Sequence, residues 1–584
     1  MNKKNYIGLA CTGHDNALAI VNSNGEVVFA EATERYLQSK RAISAVPDDL
    51  IRVGKLIEKY CEPDADLVMA KTWSEKSVPL LRKEYDEIGD YLKFLQRREK
   101  TPAMDFMQLR LQDYRHILKF FTALVEQTGT HLEYVARTGF GLRSPRKIEI
   151  RQYDHHLTHA SAVCYTSPYK EAACAIIDGF GEGTSCTFYR YENGKIREFQ
   201  RGVGNMKWSL GSFYVTLTAL CGFVHWKGEE WKVMGLAPYG KLDPKIYDLM
   251  HRYLRVDGFS IVSPPDSVAA LVELYKYARK PGQPALEVAD IAYTGQKVFS
   301  ELICELLQNL YNETKFKNLA LGGGCGLNSS WNGRLLDQTS YDSLHVFSAP
   351  ADDGNALGAA LLAYYEDYPN AEPRYTTHSP YLGSSMSKEA LDNLKRFSRI
   401  PKLEVSENGI EKRVAELLTQ GKIIGWVQGR AEFGPRALGN RSIIADPRPA
   451  DMKDKINALV KFREEFRPFA PSILHEYGDE YFVNYQESPY MERTLGFREE
   501  VRDKVPAVVH VDGTGRLQTV REEWNPRYYR LIKEFFNLTG VPVILNTSYN
   551  IMGKPIIHSV EDAVSVFYTT GLDALAIEDV LIEK

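Results

Sequence analysis

No apolar run in this 584-residue sequence approaches the roughly 20 residues that a membrane-spanning helix needs; the longest, such as 356–365, fall well short. A bilayer-crossing protein is thereby excluded and a soluble one expected. Positive charge is not in excess either, since 72 Lys and Arg face 76 Asp and Glu, with a pI near 6.4. Counterion release on a nucleic-acid backbone needs clustered basic residues, so the balance disfavours a tRNA or DNA substrate. The eight cysteines (Cys11, Cys61, Cys164, Cys174, Cys186, Cys221, Cys304, Cys325) form no CxxC pair. They read as reduced, mostly packed thiols, with no zinc ribbon. The start, Met1-Asn2-Lys3-Lys4-Asn5-Tyr6, runs into a strand pattern without a signal-peptide apolar region or an Arg/Ser-rich transit segment, which points to the cytoplasm. No low-complexity tract occurs, and Ser548 lacks the G-x-S-x-G elbow of a hydrolase nucleophile.

The chain is too long for one core and implies two or three α/β domains. Residues 6–10 and 17–21 read as strands around the loop Thr12-Gly13-His14-Asp15-Asn16, followed by an Asn24-Gly25 turn and a strand over 27–31. The plan returns at 174–178, the loop Gly179-Phe180-Gly181-Glu182-Gly183, a strand over 185–191, an Asn193-Gly194 turn and a strand over 196–199. Such an internal repeat is what a duplicated actin-like ATPase fold would show, with chance similarity of hairpins as the alternative. Residues 75–150 carry helical spacing and predict an inserted helical segment. The Pro-interrupted stretch 367–387 reads as a linker, placing the main boundary near residue 385.

In Tyr153-Asp154-His155-His156-Leu157-Thr158-His159-Ala160, His155 and His159 stand at i and i+4. On a helix both imidazoles share one face, which suits chelation of one transition ion as well as a structural role. Asp178 and Asp352, at strand ends, complete a two-His, two-Asp set; His156 points elsewhere and reads as structural. The run from Leu319 to Asn328, with Gly322-Gly323-Gly324, is a strand entering a glycine-rich turn and then a helix, a pattern that admits phosphate. His14-Asp15 offers an imidazole beside a carboxylate, the combination for a general base near pH 7.

Beyond residue 400, arginines punctuate turns. They are Arg430 after an apolar strand, Arg436 and Arg441 in Glu432-Phe433-Gly434-Pro435-Arg436-Ala437-Leu438-Gly439-Asn440-Arg441-Ser442, and Arg463 and Arg467 in the run from Lys461 to Pro471. Guanidinium forks on loops suit phosphate or carboxylate, with surface salt bridges as the alternative. His510-Val511-Asp512-Gly513-Thr514-Gly515-Arg516 and Leu545-Asn546-Thr547-Ser548-Tyr549-Asn550 read as substrate-contacting loops at strand ends.

Taken in order, Gly13-His14-Asp15, His155 to Ala160, Lys232-Val233-Met234-Gly235-Leu236-Ala237-Pro238-Tyr239-Gly240, Glu432 to Ser442, Lys461 to Pro471 and Asn546 to Asn550 resemble the carbamoyltransferase family of antibiotic and Nod-factor biosynthesis. The resemblance implies a Kae-like, actin-ATPase-type domain over 1–385 and an α/β YrdC-like domain over 386–584. It implies that ATP, with Mg2+, and carbamoyl phosphate form carbamoyl adenylate in the second domain. The first domain then transfers the carbamoyl group to a hydroxyl of a small-molecule natural product. Implied metal ligands, for Fe2+ or another divalent transition metal, are His155, His159, Asp178 and Asp352. Implied catalytic residues are His14, Asp15, Arg516 and Ser548. Nucleotide or carbamoyl-phosphate contacts fall on Gly322, Gly323, Asn328, Arg430, Arg436, Arg441, Lys461, Arg463, Arg467, Asn546 and Asn550. Gly515 departs from the alanine frequent in relatives, which leaves the Arg516 loop less constrained. A tRNA threonylcarbamoyladenosine-type factor and a non-catalytic nucleotide-binding scaffold are the rival readings. No nucleic-acid or membrane partner is expected, and homodimerisation is left open.

Overall fold

Gly8 governs how the first part of the chain packs. In the computed structural model, which describes residues 3–96, 102–203, 208–406, 409–464 and 466–584, a Cβ on Gly8 would lie 1.8 Å from the Ala356 carbonyl oxygen. The helix Gly354–Asp367 therefore rests backbone-to-backbone on strand β1 (Lys4–Ala10). On that helix a Cβ at Gly358 would come as close, 1.8 Å, to the Thr158 carbonyl oxygen. Two absent side chains thus clamp one helix between β1 and the helix His155–Tyr165. Covered in this way, β1 is buried continuously from Asn5 to Ala10 rather than at alternate residues.

β1, β2 (Ala17–Val21) and β3 (Val27–Ala32) form an antiparallel meander, and β4 (Asp66–Thr72) and β5 (Ile148–Tyr153) extend it in parallel from β1. The order is β3-β2-β1-β4-β5. β6 (Glu171–Gly181), β7 (Thr184–Glu192) and β8 (Lys195–Arg201) repeat the meander. After a small hairpin of β9 (Arg255–Asp257) and β10 (Ser260–Val262), β11 (Asn318–Gly322) and β12 (Ser343–His345) join in parallel beside β6. The second sheet runs β12-β11-β6-β7-β8, the same permutation as the first. The repeat is therefore one of whole five-stranded sheets, the duplicated actin-like architecture.

Two details differ from the sequence expectation. Asn193-Gly194 is a two-residue turn with φ of +48° and +77°, as a type I′ hairpin requires. Before Gly25, by contrast, the Asn22 side chain accepts the Asn24 and Glu26 N–H groups at 3.0 Å each, which makes a longer loop. β6 also continues through the expected glycine loop to Gly181, leaving Glu182-Gly183 as the turn. Residues 75–150 are largely helical, with Ser77–Leu95, Pro102–Gln127 and Thr130–Thr138 preceding β5, and residues 97–101 lie outside the described residues. Leu81, Leu92, Leu118 and Phe121 pack the first two of these helices onto Trp73.

The chain divides into two compact units. The first comprises Met1–Glu34, Arg41–Leu327 and Leu336–His378; the second comprises Arg35–Lys40, Asn328–Leu335 and Ser379–Lys584. The second unit holds β13 (Leu403–Val405), β14 (Ile424–Val427), β15 (Arg441–Ala445), β16 (Ala470–Leu474), β17 (Arg493–Gly496), β18 (Thr514–Val520), β19 (Val543–Ser548), β20 (Ala574–Ile577) and β21 (Val580–Glu583). They form one mixed sheet, ordered β13-β21-β20-β14-β15-β19-β16-β18-β17. A core including Trp426, Ile444, Leu531, Phe535 and Phe567 packs within this unit. Among the described residues no helix is long and apolar enough to cross a membrane. All eight cysteines are free thiols, and all but Cys304 are buried.

Candidate functional site

Asp154 caps the helix His155–Tyr165, its carboxylate accepting the Leu157 N–H at 3.0 Å, so the helix begins where the first histidine stands. Helical periodicity then points His155 and His159 the same way. They meet Asp178 from β6 and Asp352 from the turn before Gly354–Asp367, and one ligand atom from each of the four lies within 4.8 Å of the others. His155 Nε2 is 3.4 Å from Asp178 Oδ2 and 3.5 Å from Asp352 Oδ1; His159 Nε2 is 3.3 Å from Asp352 Oδ1. All four side chains are buried. Burial opposes charge on His155, yet the two carboxylates outweigh it and lift the imidazole to about 10. Among the described residues no well-aligned hydrogen bond reaches Asp352 Oδ1, although both imidazoles face it. Two carboxylates and two imidazole nitrogens converging out of water form a donor set for a divalent transition ion. Thr72 Oγ1 stands 3.3 Å from His155 Nδ1, an outer contact of the kind that orients a ligating imidazole. His156 turns away, bonded through Nδ1 to Thr187 Oγ1 at 2.7 Å, and burial pushes it down to about 3.

His14 and Asp15 occupy the loop between β1 and β2. His14 Nδ1 is 2.9 Å from Asp15 Oδ2 and 3.8 Å from Asp352 Oδ2, which places it beside the four-residue cluster. Arg41, which belongs to no sequence motif, organises the pair. Its Nη2 donates to Asp15 Oδ2 at 2.7 Å and lies 3.0 Å from His14 Nδ1, and its Nη1 donates to the His225 carbonyl at 2.9 Å. Burial works to raise Asp15, but Arg41 and His14 hold its carboxyl well below the usual range.

The glycine run has a packing role. A Cβ on Gly323, at φ +88°, would fall 2.3 Å from the Ile177 carbonyl oxygen, and the next N–H, that of Gly324, donates to Asp178 Oδ1 at 2.8 Å. Gly322 and Gly323 are buried, and the tight turn holds a carboxylate of the cluster in place. Asn328 groups with the second unit, where its side chain caps the one-turn helix Ser329–Asn332. Beside the cluster lies a cavity of about 240 Å³ lined by Trp73, Leu80, Leu81, Glu84, Phe180 and Glu182, among others. Glu182 also accepts the His155 N–H at 3.2 Å, so cavity and cluster share a wall.

In the second unit, Lys461 closes a π-type turn, Asn457–Lys461, that ends at Phe462 in the left-handed region (φ +50°). Wide turns of this type recur at functional sites. Lys461 Nζ donates to Asn550 Oδ1 at 2.8 Å and lies 3.5 Å from Ser548 Oγ, while Ser548 Oγ donates to Asn550 Oδ1 at 2.7 Å. None of these partners is a carboxylate. Arg463 bonds Asn457 Oδ1 at 2.8 Å and stacks 4.6 Å from the Phe469 ring centroid; Arg467 pairs with Glu464 at 2.5 Å. Glu465, within this motif, lies outside the described residues. Among the described residues Arg516 has neither a hydrogen-bond acceptor nor a carboxylate within 4 Å. Burial pulls Lys461, Arg463, Arg436 and Arg516 below their ordinary values. Lys461 is lowered further by Arg463 and Arg467, Arg463 by Arg467 and Arg516, and Arg436 by Arg516. Buried cations gathered in this way suit an anionic ligand. Asn546 Nδ2 lies 3.0 Å from Gln518 Oε1 and 3.1 Å from Ser472 Oγ on the neighbouring strands.

Arg430 and Arg441 stand apart from this cluster. Arg430 donates to the Gly383 carbonyl at 3.0 Å and to that of Leu382. Arg441 is fully buried and donates to the carbonyls of Gln428, Asn440, Ser384 and Gly429. Both brace main chain through these bonds, a scaffolding contribution alongside the ligand contact expected of them from the sequence. Glu432 knits the same loop, Oε1 accepting the Leu438, Asn440 and Arg441 N–H groups at 2.8, 2.8 and 3.1 Å. Gly515 also departs from expectation. It lies inside β18, and a Cβ there would be 2.4 Å from the buried Phe497 ring, so an aromatic side chain fills the space.

The family model described as Carbamoyltransferase N-terminus matches residues 5–361, and that described as Carbamoyltransferase C-terminus matches residues 415–584. The chain belongs to the carbamoyltransferase family. An uncharacterized protein of Synechocystis sp. is 30% identical over 99% of this chain and 96% of its own length. Nodulation protein NolNO of Sinorhizobium fredii is 37% identical over 74% of this chain and 63% of its own length. The 3'-hydroxymethylcephem-O-carbamoyltransferase of Amycolatopsis lactamdurans is 34% identical over 48% and 53% respectively. For this member of the family, spacing alone left the histidine motif open between chelation and a structural role. Arg41 and Trp73 carried no motif, because each acts through contacts distant in sequence.

Proposed function

We propose that the chain is an O-carbamoyltransferase with two sites, a Kae-like transfer site within residues 1–385 and a YrdC-like activation site within 386–584. The observation that carries the reading is the pairing of a buried two-His, two-Asp cluster in one unit with the mutually repelling buried cations Lys461, Arg463 and Arg516 in the other. In the second, carbamoyl phosphate and water give carbamate and phosphate, and carbamate with Mg-ATP gives carbamoyl adenylate and pyrophosphate. Lys461, Arg463, Arg467, Arg436 and Arg516 neutralise the phosphates, and Ser548, Asn546 and Asn550 fix the carbamoyl end through hydrogen bonds.

In the first unit an acceptor hydroxyl attacks the carbamoyl carbon, expelling AMP. His14, held by Asp15 and Arg41, takes the hydroxyl proton. His155, His159, Asp178 and Asp352 would hold a divalent ion, iron(II) by family resemblance, which when bound supplies Lewis acidity. The cavity lined by Trp73, Phe180 and Glu182 receives the acceptor, a small hydroxylated molecule. The test separates the sites. His14→Asn should keep carbamoyl-phosphate-dependent pyrophosphate release and lose carbamoylated product, whereas Ser548→Ala should lose both. Equal loss of pyrophosphate release in the two variants would refute the division.

A further inference from the structure

The face of β18 that carries Arg516 reaches one more residue. Side chains alternate along a strand, so Thr514, Arg516 and Gln518 share a side. Gln518 meets Asn546 at 3.0 Å, and Arg516 neighbours Arg436 and Arg463, so this side borders the cation cluster. His510 docks onto it. Its main-chain N–H donates to the Thr514 carbonyl at 2.7 Å, and its Nδ1 lies 3.2 Å from Thr514 Oγ1. The Thr514 hydroxyl in turn donates to Asp512 Oδ1 at 2.7 Å. With that hydrogen committed to a carboxylate, Thr514 Oγ1 can only accept from the imidazole. The ring proton therefore sits on Nδ1, and Nε2 keeps its lone pair. Nε2 is buried and among the described residues has no hydrogen-bond partner, an unfavourable state unless a ligand or water arrives to occupy it.

We propose that His510 is the general base that activates water against carbamoyl phosphate at the cation cluster, an assignment resting on the activation chemistry set out above. Nε2 removes one proton from water as the water oxygen bonds to the carbonyl carbon. The bond from that carbon to the phosphate oxygen breaks, its electron pair leaves with the phosphate, and the imidazolium returns the proton to the departing phosphate. The carbamic acid left behind ionises to carbamate. The His510–Thr514–Asp512 chain fixes the tautomer, and the cluster holds the leaving group. The charged groups around the ring are Asp512, Arg516 and Lys453, and the Phe469 main chain lies close enough to the ring to favour its protonated form. Burial, helped by Arg516 and Lys453 and opposed by Asp512, lowers the imidazole to about 4, so the resting ring is uncharged.

The experiment uses the full chain without acceptor. Phosphate release from carbamoyl phosphate is measured in wild type, His510→Gln, Thr514→Val and Thr514→Ser. Pyrophosphate release from ATP is measured with either carbamoyl phosphate or carbamate formed from ammonium bicarbonate. His510→Gln should release phosphate about 100-fold more slowly or worse. Given carbamate, it should release pyrophosphate at the wild-type rate, which also shows that it is folded. Thr514→Val should fall about 10-fold with the same rescue, and Thr514→Ser should stay near wild type. If wild type itself releases no phosphate, the activation reading falls together with the base. If wild type does and His510→Gln matches it, the base assignment alone falls. Failure of carbamate to rescue His510→Gln likewise overturns it, because the residue would then serve the fold.

Discussion

The Trp73 indole lies on the His155 imidazole with ring centroids 4.2 Å apart and planes 18° from parallel. To reach that position Trp73 takes φ +73°, a region that costs an L-residue about 1–2 kcal/mol, and its Nε1–H is tied to the Cys11 carbonyl at 2.9 Å. Backbone strain is thus retained to press a flat wall against one imidazole of the cluster and to line the neighbouring cavity.

Trp73→Leu should therefore weaken metal binding about 10-fold, since supports behind a ligand commonly contribute at that level. It should also destabilise the fold by about 3 kcal/mol through lost packing. Titration with cobalt(II), read by its visible absorption, measures the first effect and urea unfolding the second. Unchanged cobalt affinity would show the stack to be packing alone.

Gly323→Ala tests the other side of the cluster. Its Cβ meets the Ile177 carbonyl, and φ at this position is positive, so the turn must shift and carry the Gly324 N–H off Asp178. The cost to the fold should be about 2 kcal/mol or more, with cobalt affinity falling alongside. Gly324→Ala, at a position with room apart from Asp178 Oδ1 at 3.0 Å, should lose less stability. Comparing cobalt titration and urea unfolding of the two variants makes the check.

Legibility in the sequence followed the range of the interactions. The repeat was visible because hairpin turns and apolar strands are local patterns, and His155 and His159 were visible because four residues make about one helical turn. Arg41 was not, since nothing near it in sequence announces that its partners are His14, Asp15 and His225. Arg441 is ambiguous for the opposite reason: a motif-borne arginine is equally able to bind phosphate or four carbonyls, and the sequence does not show the four carbonyls that it meets. The membership of Arg35–Lys40 and Asn328–Leu335 in the second unit was likewise invisible, because chain order says nothing of which core a short loop joins.

Arg516 has no counter-charge within 4 Å among the described residues, and it adds to the repulsion on Arg436, Arg463 and His510. Arg516→Met should therefore leave thermal stability unchanged or raise it by a few degrees, while carbamoyl-phosphate-dependent pyrophosphate release falls about 100-fold or more. Inorganic phosphate should raise the Tm of wild type and not that of the variant. A clear loss of Tm in Arg516→Met without phosphate would mean that the guanidinium serves the fold rather than the anion.

Lys461 gives the pH dependence. Burial, then Arg463 and Arg467, hold it well below its ordinary 10.5. Between the depressed value and 10.5 the unfolded chain binds more protons than the folded one, so ligand-free stability rises with pH across that window and is lost as pH falls through it. Phosphate acts in the opposite direction. The added anion favours charged Lys461, so binding takes up a proton and weakens as pH rises. Calorimetric titration with inorganic phosphate at pH 7 and 9, in buffers of different ionisation enthalpy, should show proton uptake. Affinity should be about 10-fold weaker at pH 9, or about 1.4 kcal/mol. In Lys461→Met both the uptake and the pH dependence due to this residue should vanish. Proton release at pH 9, where phosphate is already the dianion, would instead mean that Lys461 is already charged in the free enzyme and that another group titrates.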